Sequence, residues 1–286
     1  MPPLRLTARR DHKAETNRTA GERTVAEADD ELVIEHEAGL AVVRINRPAQ
    51  MNSLSMDLLG RLGVAIPALI ADPAVRAIML TGTGPRAFCA GADMGMMGGP
   101  SDPEQTLAGM KSWHHWMIAL RETEKLVIGA INGAAAGGGF GIAMVADLLV
   151  AADTAVFKGA FSTLGVAADF GLGFTLPRAI GEKRAMEIIA CDRRVSAAEA
   201  KALGMVAEVF PAESFAAEAR AYALKLAAGS RGIQLSKRLM RLGDAAAFAA
   251  YLEAEARTQT EAFQTEDVRE GVRAFQERRP PRFAGR

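Results

Sequence analysis

The sequence has few of the residues that build disulfide frameworks and zinc sites. Its 286 residues include only two cysteines, Cys89 and Cys191, and four histidines. Two cysteines are too few for a disulfide framework and are compatible with a reducing cytoplasm, which is the location we expect. Neither a Cys-x-x-Cys nor a His-Glu-x-x-His spacing occurs, so the sequence predicts no metal site.

An excess of charge of either sign is also absent. Lys and Arg together number 34, as do Asp and Glu, so the formal net charge is zero. A balanced chain has no bulk attraction to nucleic acid or to an anionic membrane, and neither is expected as a partner. The longest apolar stretch, 126–152, is interrupted by Asn132, Asp147 and a glycine cluster and has no basic flanks. It is therefore predicted to be a buried core segment and not a membrane span.

What the chain does have is enough apolar sequence to bury a core. Apolar residues make up 49% of the chain, and strand-like runs alternate with helical patterns as far as Pro211. Almost everything after Pro211 is helical, so the class is α/β with a helical C-terminal segment. We expect three regions: a flexible extension over 1–30, which mixes both charge signs, a core over 31–210, and helices over 211–286.

Local signals predict several helix boundaries. Ser53 or Ser55 is expected to cap a helix that runs to about residue 71, although Pro67 should bend or shorten it. Ser196 and Glu199 form a capping box at the start of another short helix. The last residues, RRPPRFAGR, are predicted to be a solvated tail.

The stretch INGAAAGGGFGIAMVAD, residues 131–147, places three consecutive glycines where a buried helix is expected to begin. A phosphate-binding P-loop would need Lys and Ser or Thr where Gly139 and Phe140 stand. A Rossmann fingerprint would need a glycine in place of Ile142. Two interpretations stay open: close packing of the helix start on a strand, and a backbone N–H that meets a ligand with no side chain in the way.

A second glycine-rich loop adds to the ligand hypothesis without deciding it. The sequence FCAGAD, residues 88–93, follows a predicted strand of its own. One amide from this loop and one from the glycine cluster could meet a single oxyanion, because one donor is rarely enough. From the residues alone, a two-donor site and simple packing both remain possible.

Four motifs together resemble the crotonase family, the enoyl-CoA hydratase/isomerase superfamily. They are INRPAQMNSL, AFCAGAD, INGAAAGGGFGIAMVADLLVAA and VSAAEAKALGMV, and the likeness runs from about Leu32 to the C-terminus. The resemblance implies a core of ββα units coiled into a spiral, with C-terminal helices that help to form a homotrimer or a hexamer. It also implies an acyl-coenzyme A substrate whose thioester enolate is held by the N–H groups of Ala92 and Gly138. Coenzyme A is then part of the substrate, and no permanently bound cofactor is implied.

The catalytic acids of the family's hydratases are missing. Their two glutamate positions correspond to Gly141 and Phe161, neither of which can move a proton. Asp169 remains, at the place where isomerases of the family carry a proton-shuttling acid, among apolar neighbours that should raise its pKa. The resemblance therefore favours double-bond isomerisation over hydration. The opposing interpretation is that Asp169 caps a helix.

The sequence KSWHHWM supports an alternative. Trp113 and His114 stand at a spacing similar to that of the 4-chlorobenzoyl-CoA dehalogenases, in which an aspartate attacks the ring and a histidine activates water. By that resemblance Asp169 is a nucleophile and His114 a catalytic base, giving an aryl-CoA dehalogenase or an acyl-CoA hydrolase. The opposing interpretation is that both residues simply belong to the inner face of a helix. A third possibility is a non-catalytic acyl-CoA binder.

Few residues are candidates for coenzyme A itself. Ala90 and Arg47 are expected beside it, with Arg47 and Lys111 as possible partners of its phosphates. Gly141, Phe161 and Trp113 are expected to line the acyl pocket.

Overall fold

The computed structural model of the chain describes residues 30–96 and 102–286. The predicted N-terminal extension lies outside the described residues apart from Asp30. In chain order, the described strands are β1 Leu32–Glu37, β2 Leu40–Ile45, β3 Ala77–Gly82, β4 Ala87–Cys89, β5 Leu126–Ile131, β6 Ala134–Ala136, β7 Leu148–Ala152, β8 Val156–Lys158, β9 Arg194–Ser196 and β10 Glu208–Phe210. The helices are α1 Met56–Ala71, α2 Pro103–Glu122, α3 Gly138–Val145, α4 Phe161–Leu164, α5 Leu172–Ile180, α6 Glu182–Ala190, α7 Ala197–Ala202, α8 Phe215–Ala227, α9 Arg231–Met240, α10 Asp244–Ala262 and α11 Glu266–Gln276.

Two sheets form the core. The larger has the order β1-β2-β3-β5-β7-β10, and the smaller has the order β4-β6-β8-β9. All neighbours in the larger sheet are parallel except the β1–β2 hairpin, and in the smaller sheet only β8–β9 is antiparallel. Both faces of a parallel sheet are covered, which is why β3 and β5 are buried at every residue and read as continuous apolar runs.

A repeated ββα unit links the two sheets. β3, β5 and β7 of the larger sheet lead directly to β4, β6 and β8 of the smaller one, and each pair is followed by a helix, α2, α3 or α4. Repetition of this unit winds the chain into a spiral, as the family resemblance implied. The turns of the spiral lie so close that a Cβ on Gly133 would fall 2.4 Å from the carbonyl carbon of Arg86.

The C-terminal helices return over the spiral. α10 packs along α2, and α11 packs against α4. Near the end of α9, the buried Lys237 places its Nζ 2.7 Å from the carboxylate of Asp147 and 2.7 Å from the carbonyl of Lys125. A buried ammonium is tolerated when it is paired and hydrogen-bonded in this way, so the contact fixes α9 to the core.

The helix caps behave largely as the sequence predicts. Ser55 caps α1 by accepting a hydrogen bond from the N–H of Leu58, and Ser196 caps α7 through the N–H of Glu199. The predicted shortening at Pro67 is wrong, because α1 continues to Ala71. Proline removes the hydrogen bond to the carbonyl four residues earlier, here that of Gly63. The ring Nε2 of His115, in α2, lies 3.1 Å from that carbonyl and can donate to it in the tautomer that carries the hydrogen on Nε2.

The C-terminal tail is exposed but not free. The carbonyl of Arg286 accepts hydrogen bonds from the N–H groups of Glu266 and Asp267 at the start of α11. The carboxylate of Asp267 in turn accepts from the N–H groups of Ala284 and Gly285. The tail therefore caps α11, which the prediction of a merely solvated segment missed.

Among the described helices, none combines the length and the apolar character that crossing a bilayer requires.

The close contact between α3 and β4 allows the packing to be tested by substitution of a glycine. A Cβ on Gly139 would lie 2.1 Å from the carbonyl oxygen of Cys89, a backbone atom that cannot move aside cheaply. Gly60, on α1, has nothing within 4 Å of its Cβ position. We expect Gly139→Ala to lower the free energy of unfolding by about 1–3 kcal/mol or more. Gly60→Ala should raise it by roughly 0.5–1 kcal/mol because alanine favours the helix. Urea unfolding of both variants measures this, and equal stabilities would contradict the packing.

Candidate functional site

A cavity of about 800 Å³ opens between the two glycine-rich loops, α2 and the C-terminal helices. Its lining is largely apolar and includes an unusual share of the chain's aromatic residues: Trp113, Phe161, Phe170, Phe263 and Phe275. Ala90, Ala92, Gly138 and Asp169 line the same cavity. A concave apolar pocket with a few converging polar groups is the usual form of a small-molecule site.

The loop after β4 aims one amide away from its neighbours. Leu54 and Ala92 form a parallel bridge, in which the N–H of Leu54 donates to Gly91 (2.8 Å) and the N–H of Asp93 donates to Leu54 (2.9 Å). In a parallel bridge the central residue turns its own N–H and carbonyl to the opposite side. No hydrogen bond from the Ala92 N–H to another described residue is present, and the residue faces the cavity.

The glycine cluster supplies a second amide beside the first. Gly137, with φ of +53°, turns the chain into α3, so the N–H of Gly138 belongs to the unpaired first turn of the helix. A Cβ on Gly91 would lie only 3.3 Å from the Gly138 nitrogen and 2.9 Å from the carbonyl oxygen of Ala136. The backbone next to Ala92 is therefore in contact with the amide of Gly138, and both residues line one cavity.

The other glycines of the cluster are there for packing. Gly139 rests on the backbone of β4, as described above. A Cβ on Gly141 would lie 2.6 Å from Cβ of Phe170 and 2.8 Å from the carbonyl of Asp169. Gly141 does not line the cavity, contrary to the expectation, because the loop carrying Asp169 covers it. Packing therefore accounts for Gly139 and Gly141, and Gly138 stays the candidate for the amide that meets a ligand.

Asp169 brings a carboxyl group into the cavity. Its Oδ2 accepts a hydrogen bond of 3.3 Å from Gln259, whose own Oε1 accepts from the N–H of Ala167 (2.8 Å). Its Oδ1 is enclosed and has no hydrogen-bond partner among the described residues. Burial, and next the negative charge of Glu255, raise the pKa of Asp169 well above its ordinary value. A carboxyl group shifted in this direction is suited to exchanging protons near neutral pH.

Glu255 is the residue that the sequence analysis missed. It lies on α10, its Oε2 accepts a hydrogen bond of 2.9 Å from the N–H of Gly171, and burial raises its pKa to about 8. The sequence did carry a signal. Phe248, Leu252, Glu255 and Gln259 follow a helical spacing, and all four are buried on one face of α10. An acid at a core-facing position is unusual enough to mark a candidate.

The structure does not bring His114 to the cavity. Successive residues of a helix point about 100° apart. Trp113 therefore faces the cavity, where its ring stacks on Phe170 at 6.0 Å between centroids, while His114 faces α10. The Nε2 of His114 lies 3.5 Å from Oε1 of Glu255, and burial lowers the pKa of His114 to about 4. Phe161 and Trp113 line the pocket as expected.

Arg47 is engaged in holding a loop. Its guanidinium pairs with Glu31 at 2.7 Å and Asp93 at 3.0 Å, and it donates to the carbonyl of Ser53 at 2.7 Å. These contacts tie the Asp93 loop in place and leave Arg47 outside the cavity lining, so the expectation that it meets coenzyme A is not supported. Lys111 pairs with Glu253 at the surface, 2.8 Å away. Ala90 does line the cavity.

Within the described residues no cluster of three or more His, Cys, Asp or Glu side chains is arranged to hold a metal ion.

Comparisons with known proteins agree on one family. The family model described as enoyl-CoA hydratase/isomerase matches residues 35–286. A probable enoyl-CoA hydratase of Rhodobacter capsulatus is 38% identical over 249 residues, covering 87% of this chain and 95% of the relative. The probable enoyl-CoA hydratase EchA12 of Mycobacterium tuberculosis is 36% identical over 283 residues, covering 95% and 98%.

Solved structures give the same answer for the fold. An enoyl-CoA hydratase from Mycobacterium avium subsp. paratuberculosis superposes with a TM-score of 0.80 at 28% identity, covering 89% of this chain and 99% of that one. A carnitinyl-CoA hydratase from Mycobacterium avium superposes with a TM-score of 0.77 at 29% identity, covering 90% and 99%.

The raised pKa of Asp169 has a consequence for stability. Above its ordinary pKa the carboxyl ionises in the unfolded chain while the folded chain still holds the proton, so unfolding becomes easier as pH rises. We expect Asp169→Asn to raise the melting temperature, with a gain that is small at about pH 4 and grows toward neutral pH. The exposed acid Glu213 provides the control Glu213→Gln. Calorimetry across this pH range tests the expectation, and a gain independent of pH would contradict it.

Proposed function

Because the chain belongs to the enoyl-CoA hydratase/isomerase family, we propose that this acyl-CoA enzyme moves a carbon–carbon double bond along an unsaturated acyl thioester. The observation that carries the proposal is the enclosed carboxyl group of Asp169, which lines the cavity beside aromatic side chains. Coenzyme A enters as part of the substrate.

The two amides account for the thioester end of the reaction. Removing a proton beside a thioester places negative charge on its carbonyl oxygen. The N–H groups of Ala92 and Gly138 would donate to that oxygen, and a fixed donor of this kind is typically worth about 3 kcal/mol of barrier. Both are backbone groups, so no side chain is consumed at this step.

Asp169 accounts for the proton transfers. Starting from a 3-enoyl thioester, its carboxylate would take a proton from C2, and the electrons of that bond would form a dienolate. The C2–C3 bond would become double, the C3–C4 double bond would open, and Asp169 would return the same proton to C4. A carboxyl with a raised pKa can act as the base in the first of these steps and as the neutral acid in the second.

Hydration fits the cavity less well. Several relatives carry the name probable enoyl-CoA hydratase. Adding water requires a group to polarise the water as well as a proton for the α-carbon. The positions where the family's hydratases carry glutamates are occupied here by the packed Gly141 and the buried Phe161. The enclosed carboxyl of Asp169 in an apolar wall supports proton shuttling more readily than water activation.

The alternative with Asp169 as a nucleophile has less support. The base proposed for that route, His114, faces away from the cavity. The route remains an outcome of the tests below, as does a chain that binds acyl-CoA without turning it over.

The first test of the function is isotope incorporation. We expect 3-enoyl-CoA incubated with the enzyme in deuterated water to give 2-enoyl-CoA with little deuterium at C4, because Asp169 returns the proton that it removed from C2. We expect Asp169→Asn to lower kcat by about 100-fold or more. Asp102→Asn is the matched control, because Asp102 also lines the cavity and asparagine caps α2 equally well. An unchanged rate in Asp169→Asn would remove the mechanism, and 3-hydroxyacyl-CoA as main product would indicate a hydratase.

A second measurement addresses the nucleophilic route. After many turnovers of an aryl-CoA in ¹⁸O-labelled water, a nucleophilic Asp169 would carry the label, and mass spectrometry of the peptide would detect it. We expect no label. Tight binding of coenzyme A without turnover of any acyl-CoA would identify a binder.

We also infer that the chain assembles as a homotrimer or as a pair of trimers, through the end of α9. Leu239, Met240 and Leu242 are 70%, 84% and 83% exposed, and a contiguous apolar patch of this kind usually marks an interface. We expect Met240→Asp with Leu242→Asp to shift the mass from an oligomer to the monomer, measured by light scattering after gel filtration. Met186→Asp, at another exposed apolar residue, is the control. A wild-type chain that is already monomeric would contradict the inference.

A further inference from the structure

Two buried polar atoms close to Asp169 have no hydrogen-bond partner among the described residues. They are Nε2 of His114 and Oε1 of Glu255, and they face each other at 3.5 Å. Both side chains are almost fully excluded from solvent. An unpaired buried polar atom is costly, and two that face each other call for one explanation.

A proton on Oε1 of Glu255 satisfies both atoms. The O–H would donate to Nε2 of a neutral His114 whose other nitrogen carries the hydrogen, and Oε2 would remain free to accept from the N–H of Gly171. Burial supports these protonation states, since it raises the pKa of Glu255 to about 8 and lowers that of His114 to about 4. The alternative, a buried ion pair, must overcome the desolvation of two charges.

The proton on Glu255 also determines which of two carboxyl groups, Glu255 or Asp169, carries the negative charge. A negative charge on Glu255 raises the pKa of Asp169, so the two carboxyls resist ionising together. When one negative charge is present, the hydrogen bond to His114 keeps the proton on Glu255. The charge then lies on Asp169, which faces the cavity.

We propose that Glu255 is a positioning residue, which acts in its protonated form, held by His114, to leave the negative charge on Asp169 and to fix the turn that carries it. This inference rests on the proposed function of Asp169 as the proton-transferring group. Glu255 itself does not line the cavity and touches no substrate.

The turn explains the second half of the role. Phe170 and Gly171 follow Asp169 with φ of +49° and +71°, a sharp left-handed turn. The carboxyl of Glu255 accepts from the N–H of Gly171 inside this turn, while Gln259 holds Ala167 and Asp169 one helical turn along α10. The aspartate is therefore oriented from α10 at both ends of its loop.

The other titratable groups around the pair do not compete for the proton. Tyr251, on α10, has its pKa raised by burial and by the two acids, so its hydroxyl stays neutral. Lys111 and Glu253, which affect the pKa of His114, pair with each other at the surface.

Glu255→Gln is the decisive variant, because glutamine imitates the protonated acid. Its amide can donate to His114 and accept from Gly171, but it cannot ionise. In the wild type we expect kcat to fall above about pH 8, where Glu255 ionises beside Asp169. In Glu255→Gln this alkaline decline should disappear, whereas the control Glu253→Gln should keep it. Persistence of the decline would overturn the proposal, as would a loss of kcat of about 100-fold or more in a folded variant.

The free protein gives a readout that does not depend on activity. With ¹³C-labelled carboxyl groups, NMR should show a glutamate resonance that titrates near pH 8 and is missing in Glu255→Gln. Its absence from the wild type would overturn the proposal even if the enzyme isomerises. Its presence with no isomerase activity would leave the proton assignment standing and remove only the proposed function.

Substitution of His114 tests the acceptor. His114→Gln keeps an oxygen that can accept from Glu255, whereas His114→Leu removes the acceptor. We expect His114→Leu to move the titration of Glu255 to lower pH and to lower kcat with little change in KM, and His114→Gln to restore part of both. Equal behaviour of the two variants would contradict the role.

Discussion

The contact between two stretches of bare backbone determines most of what this chain can do. A Cβ on Gly91 would lie 2.9 Å from the carbonyl oxygen of Ala136 and 3.3 Å from the nitrogen of Gly138, and Gly139 rests even more closely on the backbone of β4. The spiral of ββα units makes the contact possible, because it stacks the ends of consecutive turns. The outcome is a pair of N–H groups, from Ala92 and Gly138, facing one cavity. A site built from backbone holds its geometry whatever side chains surround it, which allows one fold to serve different reactions.

The remaining chemistry is supplied from the opposite wall. α10 reaches the loop of Asp169 through two residues four positions apart, Glu255 and Gln259. Keeping Asp169 in an apolar wall costs stability at neutral pH, since ionisation there is opposed by burial and by a second acid. The same burial gives the carboxyl a proton affinity that fits reversible transfer between two carbons. If Asp169 transfers the proton as proposed, stability and activity oppose each other at this one residue.

Much of the fold could be predicted from the sequence, because it rests on local or repeated signals. Apolar runs marked the strands of the larger sheet, and serines marked the caps of α1 and α7. The short strands of the smaller sheet carry no such signal, since three residues are too few for a pattern. Helix α1 passes Pro67, and the ring of His115, about fifty residues later, lies within hydrogen-bond distance of the freed carbonyl. Such long-range compensation has no trace in a local pattern.

The site residues, too, were predictable only where the sequence carries a local motif. Ala92, Gly138, Asp169, Trp113 and Phe161 were named from motifs, and all five line the cavity. The partners of those residues were not named, because α10 follows Asp169 by some eighty positions and its buried acid stands in an otherwise ordinary helix. The direction of His114 and the engagement of Arg47 also depend on tertiary contacts. The proposed reaction depends on how strongly the two amides polarise a thioester. Infrared difference spectra of a saturated acyl-CoA with a ¹³C-labelled carbonyl measure this directly. The bound carbonyl should absorb at a lower wavenumber than in water, and a frequency equal to or above the value in water would contradict the account.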